Sequence, residues 1–241
     1  DAVGFRGDGT GMPENVYQNQ QALILSLCSA ALKPSGLIFY SHKVRIKDGV
    51  SVNPRIWIDR SGLQVIQEII WNRGGTAQTD PRRLYPVYET VYILANERAI
   101  KTRENEGIRL INSGRNSGGQ GLTDVWDINP KTYGITREKS GHPAAAPLEL
   151  IRRCLSIVSH GRGALVCDPY CGTGTTGIAA QERGMDYLLC DVSEKWARHS
   201  DARMKGDLDA HMRQLPIETS DEATSDRAEV GSETWSNKEE L

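Results

Sequence analysis

Asp168-Pro169-Tyr170-Cys171-Gly172-Thr173-Gly174-Thr175-Thr176 is the stretch whose residue types and spacing could do chemistry. It lies between an apolar run, Ala164 to Asp168, and a helix-forming run from Thr175 to Arg183 that Gly184 closes, the place where an open parallel sheet binds ligands. Glycines at 172 and 174 let the backbone approach a ligand, and a helix starting near Thr175 aims N–H groups back at the loop. Asp191 ends the next apolar run, 23 residues after Asp168, where a carboxylate can accept both hydroxyls of a ribose. Together these features predict a nucleoside site. The plainer reading is a tight glycine turn with two strand-end aspartates capping helices.

The elements that must position these residues alternate along the chain. Apolar residues recur at helical spacing over about 13–32 and stop at Pro34 and Gly36; Gly36 to Ser41 then reads as a strand buried on both faces. Pro54 to Ser61 predicts a short helix, and Leu63 to Trp71 and Val87 to Ala95 predict strands. From Asn96 to Thr136 periodicity fades, with Gly, Ser, Asn and Arg crowding Asn112 to Gly121. Pro147 to His160 is helical in pattern, Tyr187 to Asp191 is a strand, and Ser193 to Met204 is a helix with Ser193 as its N-cap. Such alternation predicts an α/β fold with a mainly parallel, doubly wound sheet.

Gly172-Thr173-Gly174-Thr175-Thr176-Gly177 is also a literal GxGxxG, so an NAD-dependent dehydrogenase is a competing expectation. In the dinucleotide fingerprint the strand runs directly into the first glycine, whereas Asp168-Pro169-Tyr170-Cys171 intervenes here, and an acid in the site would repel a pyrophosphate.

Val166 to Thr176 resembles the DPF-C-GSGTT cofactor motif of the exocyclic-amino DNA methyltransferases, and Asp191-Val192-Ser193-Glu194-Lys195 is similar to the acidic motif that follows it. His142-Pro143-Ala144-Ala145-Ala146-Pro147 resembles the HP-x-x-F-P segment that precedes the cofactor motif in the permuted β-type order. Upstream, Gly11-Met12-Pro13, Phe39 to Lys43, Gln67 to Trp71, Tyr85-Pro86 and Asp124-Val125-Trp126 occur in the order of that group's catalytic half and specificity region, so the resemblance covers about 1–205. It implies a Rossmann-like S-adenosylmethionine-dependent fold acting on adenine N6 or cytosine N4 of double-stranded DNA in a prokaryotic or phage-infected cytoplasm. Asp168, Pro169, Tyr170, Cys171, Gly172, Thr173, Gly174, Thr175 and Thr176 would hold the methionine end of S-adenosyl-L-methionine, Asp191 its ribose, and His142, Pro143, Ala146 and Pro147 would close over it. Ala146 stands where the family has phenylalanine.

The family's Asp/Asn/Ser-Pro-Pro-Tyr target-base motif is absent. An extruded base needs acceptors for its amine hydrogens and an aromatic face to stack on, and no other stretch supplies that set. The chain begins at Asp1, inside what the family makes a loop, so a fragment of a longer protein is expected, without catalytic residues of its own and with either a gap between the strands at 37–41 and 164–168 or a direct, compensating pairing of them. A decayed copy that binds cofactor or DNA without chemistry is the alternative.

The division expected is a catalytic half at 1–95, an irregular specificity-type insertion at 96–140, a cofactor half at 141–205 and an acidic tail at 206–241. Residues 215–241 hold eight acids against two bases, so the overall charge of −2 hides a body of +4. Within 72–140 eleven bases face eight acids, and Arg73, Arg82, Arg83 and Arg115 are the candidate DNA contacts. His42, Lys43 and Arg45, after a strand end, are candidates for phosphate contact or for a solvated cluster. Five cysteines with no zinc spacing fit a reducing compartment and buried thiols, with no metal. The longest apolar stretch, about ten residues, falls short of the ~20 that a membrane helix needs.

Overall fold

The computed structural model describes residues 12–75, 82–106, 123–129, 145–158 and 163–206. Helix α1 (Glu14–Ala31) starts after Pro13, whose φ of −55° suits a helix entrance, and ends at Leu32, where the backbone turns extended two residues before Pro34. Strand β1 (Ile38–His42) follows, as expected. The short helix α2 (Arg55–Arg60), β4 (Gln64–Asn72) and β5 (Tyr88–Ala95) also fall where the sequence places them.

Two features are not in the pattern. Between β1 and α2 the chain makes a hairpin, β2 (Arg45–Lys47) and β3 (Val50–Val52), closed by Asp48 and Gly49 at φ of +48° and +78°, a tight turn favoured by Asp-Gly. In the segment expected to be irregular, α3 (Glu97–Glu106) begins where the Asn96 side chain accepts the Ala99 N–H at 2.8 Å. This helix is mostly charged and buries Ala99 near its start, so it leaves little apolar period to read. Strand β6 (Val125–Asp127) is three residues long and is held by the buried Trp126.

One sheet has the order β1-β5-β4-β6. Strand β5 runs antiparallel to both neighbours, while β6 is parallel to β4, so β1, β4 and β6 share one direction around a single reversed strand. Strands β7 (Leu165–Asp168) and β8 (Asp186–Leu189) form a separate parallel pair, connected through α5 (Thr175–Glu182) and followed by α6 (Glu194–Met204). Among the described residues β1 and β7 are not paired with each other.

Helix α4 (Leu148–Ser156) joins the two parts by being apolar on two sides. Leu150 and Cys154 pack with Ile69, Trp71, Val91, Ile93 and Trp126 of the larger sheet, while Leu148 and Leu155 pack with Ala179, Ala180 and Met185 beside the β7–β8 pair. A third cluster, of Leu25, Trp57, Ile58, Leu63, Tyr92 and Leu94, seats α1 and α2 on the opposite face of the larger sheet.

Candidate functional site

The 168–176 loop is closed by its own side chains. Asp168 Oδ1 accepts the Tyr170 N–H at 2.9 Å, and its Oδ2 accepts the Thr176 hydroxyl at 2.5 Å, tying the end of β7 to the first turn of α5. The backbone zips to β8: Cys190 N–H donates to Asp168 O, and Cys171 N–H to Cys190 O, each at 2.9 Å. Gly174 then caps α5 at φ +76°, a left-handed conformation, with no side-chain cap on the helix. That leaves the amino end of α5 aimed at the loop, a setting that suits an anionic group.

Asp191 spans two elements. Its Oδ2 accepts the Gly172 N–H at 2.9 Å and its Oδ1 the Ser193 N–H at 2.8 Å. A carboxylate offers about four lone-pair sites, so two remain for the hydroxyls of a ligand. Ser193 stands at the N-cap position of α6 as expected, but its hydroxyl makes no cap bond; Asp191 braces the entrance through the Ser193 N–H.

Sequence reasoning missed the support behind the loop. A Cβ on Gly174 would stand 2.8 Å from Ser200 Cβ and 3.2 Å from its Cα, so α6 packs directly on the glycine. Arg203 of α6 donates through Nη1 to the Thr173 carbonyl at 2.9 Å and to the Thr175 hydroxyl at 3.2 Å. Its half-buried guanidinium has its basicity lowered by burial. Nothing local marks Ser200 or Arg203, which lie 26 and 29 residues beyond Gly174 and are brought to it only by the crossover.

Tyr170 is exposed, and it lies close enough to Tyr17 and Tyr40 to raise both phenols electrostatically, although burial is the larger cause in each. At the carboxyl-end rim of β1 the Tyr40 and His42 rings stack 5.6 Å apart and the Tyr17 and His42 rings meet edge-on at 6.1 Å. At that rim His42 is neither solvated nor a phosphate ligand. Its Nδ1 lies 2.5 Å from the Lys43 carbonyl and its Nε2 lies 2.6 Å from the Tyr17 hydroxyl. A carbonyl only accepts, so Nδ1 carries the proton and Nε2 accepts from Tyr17. Burial pulls the His42 pKa down to about 4. Arg45 lies over the Tyr17 ring, 3.8 Å from its centroid, and pairs with Glu14 at 3.1 Å, so its charge too is engaged.

The remaining candidates divide. Pro147 is buried at the entrance of α4 and Ala146 is exposed beside it; His142, Pro143 and Arg115, with the tail, lie outside the described residues. Arg73 is ion-paired to Glu89 at 2.6 Å, and Arg83 donates to the Gly49 carbonyl. Of the cysteines, Cys154 and Cys171 are buried, Cys28 partly so, and Cys167 and Cys190 are exposed, which corrects the expectation that all are buried. Among the described residues no group of acids, histidines and cysteines could hold a metal ion, and no helix is long and apolar enough to cross a membrane.

Residues 11–201 match the family described as DNA methylase (N6_N4_Mtase). The chain is 27% identical over 162 residues to the type II methyltransferase M.ScaI of Streptomyces caespitosus, covering 59% of this chain and 51% of that one. It thus spans about half the length of that curated relative. Its fold is similar to PvuII DNA methyltransferase, cytosine-N4-specific, with a TM-score of 0.61 over 94% of this chain and 80% of that one, at 16% identity. It is also similar to M1.HpyAVI in its complex with SAM, with a TM-score of 0.53 over 76% and 81% of the two chains at 17% identity.

Proposed function

This chain belongs to the N6/N4 DNA methylase family, and from that premise we propose that it provides the cofactor site and part of the DNA-facing half of an S-adenosyl-L-methionine-dependent DNA methyltransferase. The reaction proposed moves a methyl group to an exocyclic amine, adenine N6 or cytosine N4. The observation that carries this reading is the Asp191 carboxylate, which fixes Gly172 and Ser193 and keeps lone pairs for a diol beside a helix amino end. That donor and acceptor set fits the group: N–H groups for the methionine carboxylate, Asp191 for the ribose. When bound, the cofactor supplies a methyl on a sulfonium centre, electrophilic enough for a neutral amine to attack.

The chain's own residues bind and orient. Asp168 holds the loop shut through Tyr170 and Thr176. Pro147 and Ala146, with His142 and Pro143, would cover the methionine moiety. Arg82, Arg83 and Arg115 would meet DNA phosphates; Arg73 would do so only by leaving Glu89. We assign no catalytic residue to this chain. The acceptors for the amine hydrogens would come from an Asp-Pro-Pro-Tyr-type strand filling the break between β7 and β1. The reading places this chemistry in a prokaryotic cytoplasm, where DNA and cofactor meet.

Titration calorimetry with S-adenosylmethionine and with NAD tests the site directly. Asp191→Ala should weaken S-adenosylmethionine binding by about 1.5–3 kcal/mol, the scale of a hydrogen bond to a charged group. Unchanged affinity would remove the ribose role, and preference for NAD would turn the reading toward a dehydrogenase. Labelled-methyl transfer to duplex DNA should be nil for the 241-residue chain and appear when an Asp-Pro-Pro-Tyr strand is supplied. Binding without transfer in both would favour the decayed form.

A further inference from the structure

Strand pairing puts several loops on one rim. His42 ends β1 opposite Thr90, and Asn72 ends β4 opposite Tyr88, so the β2–β3 hairpin that leaves β1 and the 82–87 segment that enters β5 rise from the same edge of the sheet. Arg83 donates to the Gly49 carbonyl and ties that segment to the hairpin turn.

What this rim exposes is unusual for a loop cluster. Leu84 is 97% exposed, Val50 65%, Tyr85 55% and Ile46 51%. Around these apolar side chains, residues 43–52 and 82–88 hold five bases (Lys43, Arg45, Lys47, Arg82, Arg83) and one acid, Asp48. Arg45 is engaged by Glu14, whereas Lys47 pairs with the exposed Asp48 at 3.8 Å, a pair worth little in water. Exposed apolar side chains set among cations match a polyanion with an apolar interior, which is a stacked duplex.

Resting on the reading of duplex DNA as substrate, we propose that the hairpin and the 83–85 segment form a duplex-contacting rim in which Lys43, Lys47 and Arg83 meet phosphates and Leu84 wedges between base steps. Wedging apolar side chains unstack neighbouring bases, which makes one base easier to draw toward the cofactor. This role differs from simple charge attraction, because Leu84 carries none.

Fluorescence anisotropy of the 241-residue chain on a duplex carrying 2-aminopurine, across about 50–200 mM salt, separates the two contributions. Calorimetric S-adenosylmethionine affinity and melting temperature serve as controls for folding. The Lys43→Gln/Lys47→Gln double variant should reduce the salt slope by about two. Leu84→Ala should keep the slope and cofactor affinity but lose the rise in 2-aminopurine fluorescence that the wild type gives on binding. Wild-type slope in the double variant, or wild-type fluorescence rise in Leu84→Ala, overturns the rim and leaves the DNA reading intact. No duplex binding by a chain that still binds S-adenosylmethionine overturns both. Concentration-dependent dimerisation abolished by Leu84→Ala would assign the patch to a second copy and overturn the proposal as well.

Discussion

The cofactor loop and the rim above β1 and β5 both turn on glycines with positive φ, yet their surroundings differ. Around Gly174 every neighbour is fixed: Ser200 at van der Waals limit, Arg203 on Thr173, Asp168 on Thr176. Around Gly49 the nearest atom that a side chain would meet is an Arg83 nitrogen at 3.9 Å. One turn is set by packing, the other by backbone torsion and an Arg83 hydrogen bond to the Gly49 carbonyl. On the proposed reading, a site for a small ligand in one pose would have its loop immobilised from behind, while a surface that follows a long, repetitive polymer would keep its loops open.

Matched alanine substitutions give the widest separation. Gly174→Ala adds the cost of a left-handed non-glycine residue, about 1–2 kcal/mol, to overpacking against α6, about 1–3 kcal/mol. Chemical denaturation should show a loss of about 2–5 kcal/mol, with loss of cofactor binding. Gly49→Ala has only the torsional term and should lose about 1–2 kcal/mol with cofactor affinity intact. Equal losses would break the comparison.

The larger half holds its own strain point in His42, which is neutral because burial brings its pKa from 6.5 to about 4. The folded value is depressed, so above pH 6.5 both states are neutral and the group adds nothing. As pH falls from about 6.5 toward 4, the unfolded chain takes up a proton that the folded one refuses, and stability drops by up to about 2–3 kcal/mol. His42→Gln, which can still accept from Tyr17 but does not titrate there, should flatten that acid limb. A limb that persists unchanged would place the titration elsewhere.

Arg203 sharpens the account of the cofactor half. Arg203→Met strands the Thr173 carbonyl and leaves the Thr175 hydroxyl with its Thr173 hydroxyl partner, a cost of about 1–2 kcal/mol. Calorimetry should show weaker S-adenosylmethionine binding that Arg203→Lys partly restores. Equal affinity in all three proteins would make the residue a bystander.

These differences also explain what the sequence makes legible. Asp168, Tyr170 and Thr176 satisfy one another within nine residues, so part of the loop's order is written locally and its strand and helix could be read directly. Arg203 and Ser200 enter through a crossover, and the Tyr17–His42 contact spans 25 residues, so neither leaves a local pattern. The β2–β3 hairpin escaped because three-residue strands carry too little alternation, although Asp48-Gly49 was a usable turn signal. Helix α3 escaped because its ten residues are mostly charged and carry little apolar period.

The smallest effect belongs to the joint between the halves. Helix α4 touches α5 through apolar Leu148 and Leu155 and, at the surface, through Arg152, whose Nε and Nη2 donate to Glu182 at 2.7 and 2.6 Å. Both side chains are more than a third exposed, so solvent screens the pair despite its two-pronged geometry. Glu182→Gln should cost about 0.5 kcal/mol or less, and less still in high salt. Leu155→Ala, which removes buried contacts at the same joint, should cost about 2–4 kcal/mol and be indifferent to salt. If the polar variant proved the more damaging of the two, the halves would be held together by charge rather than by the two apolar sides of α4.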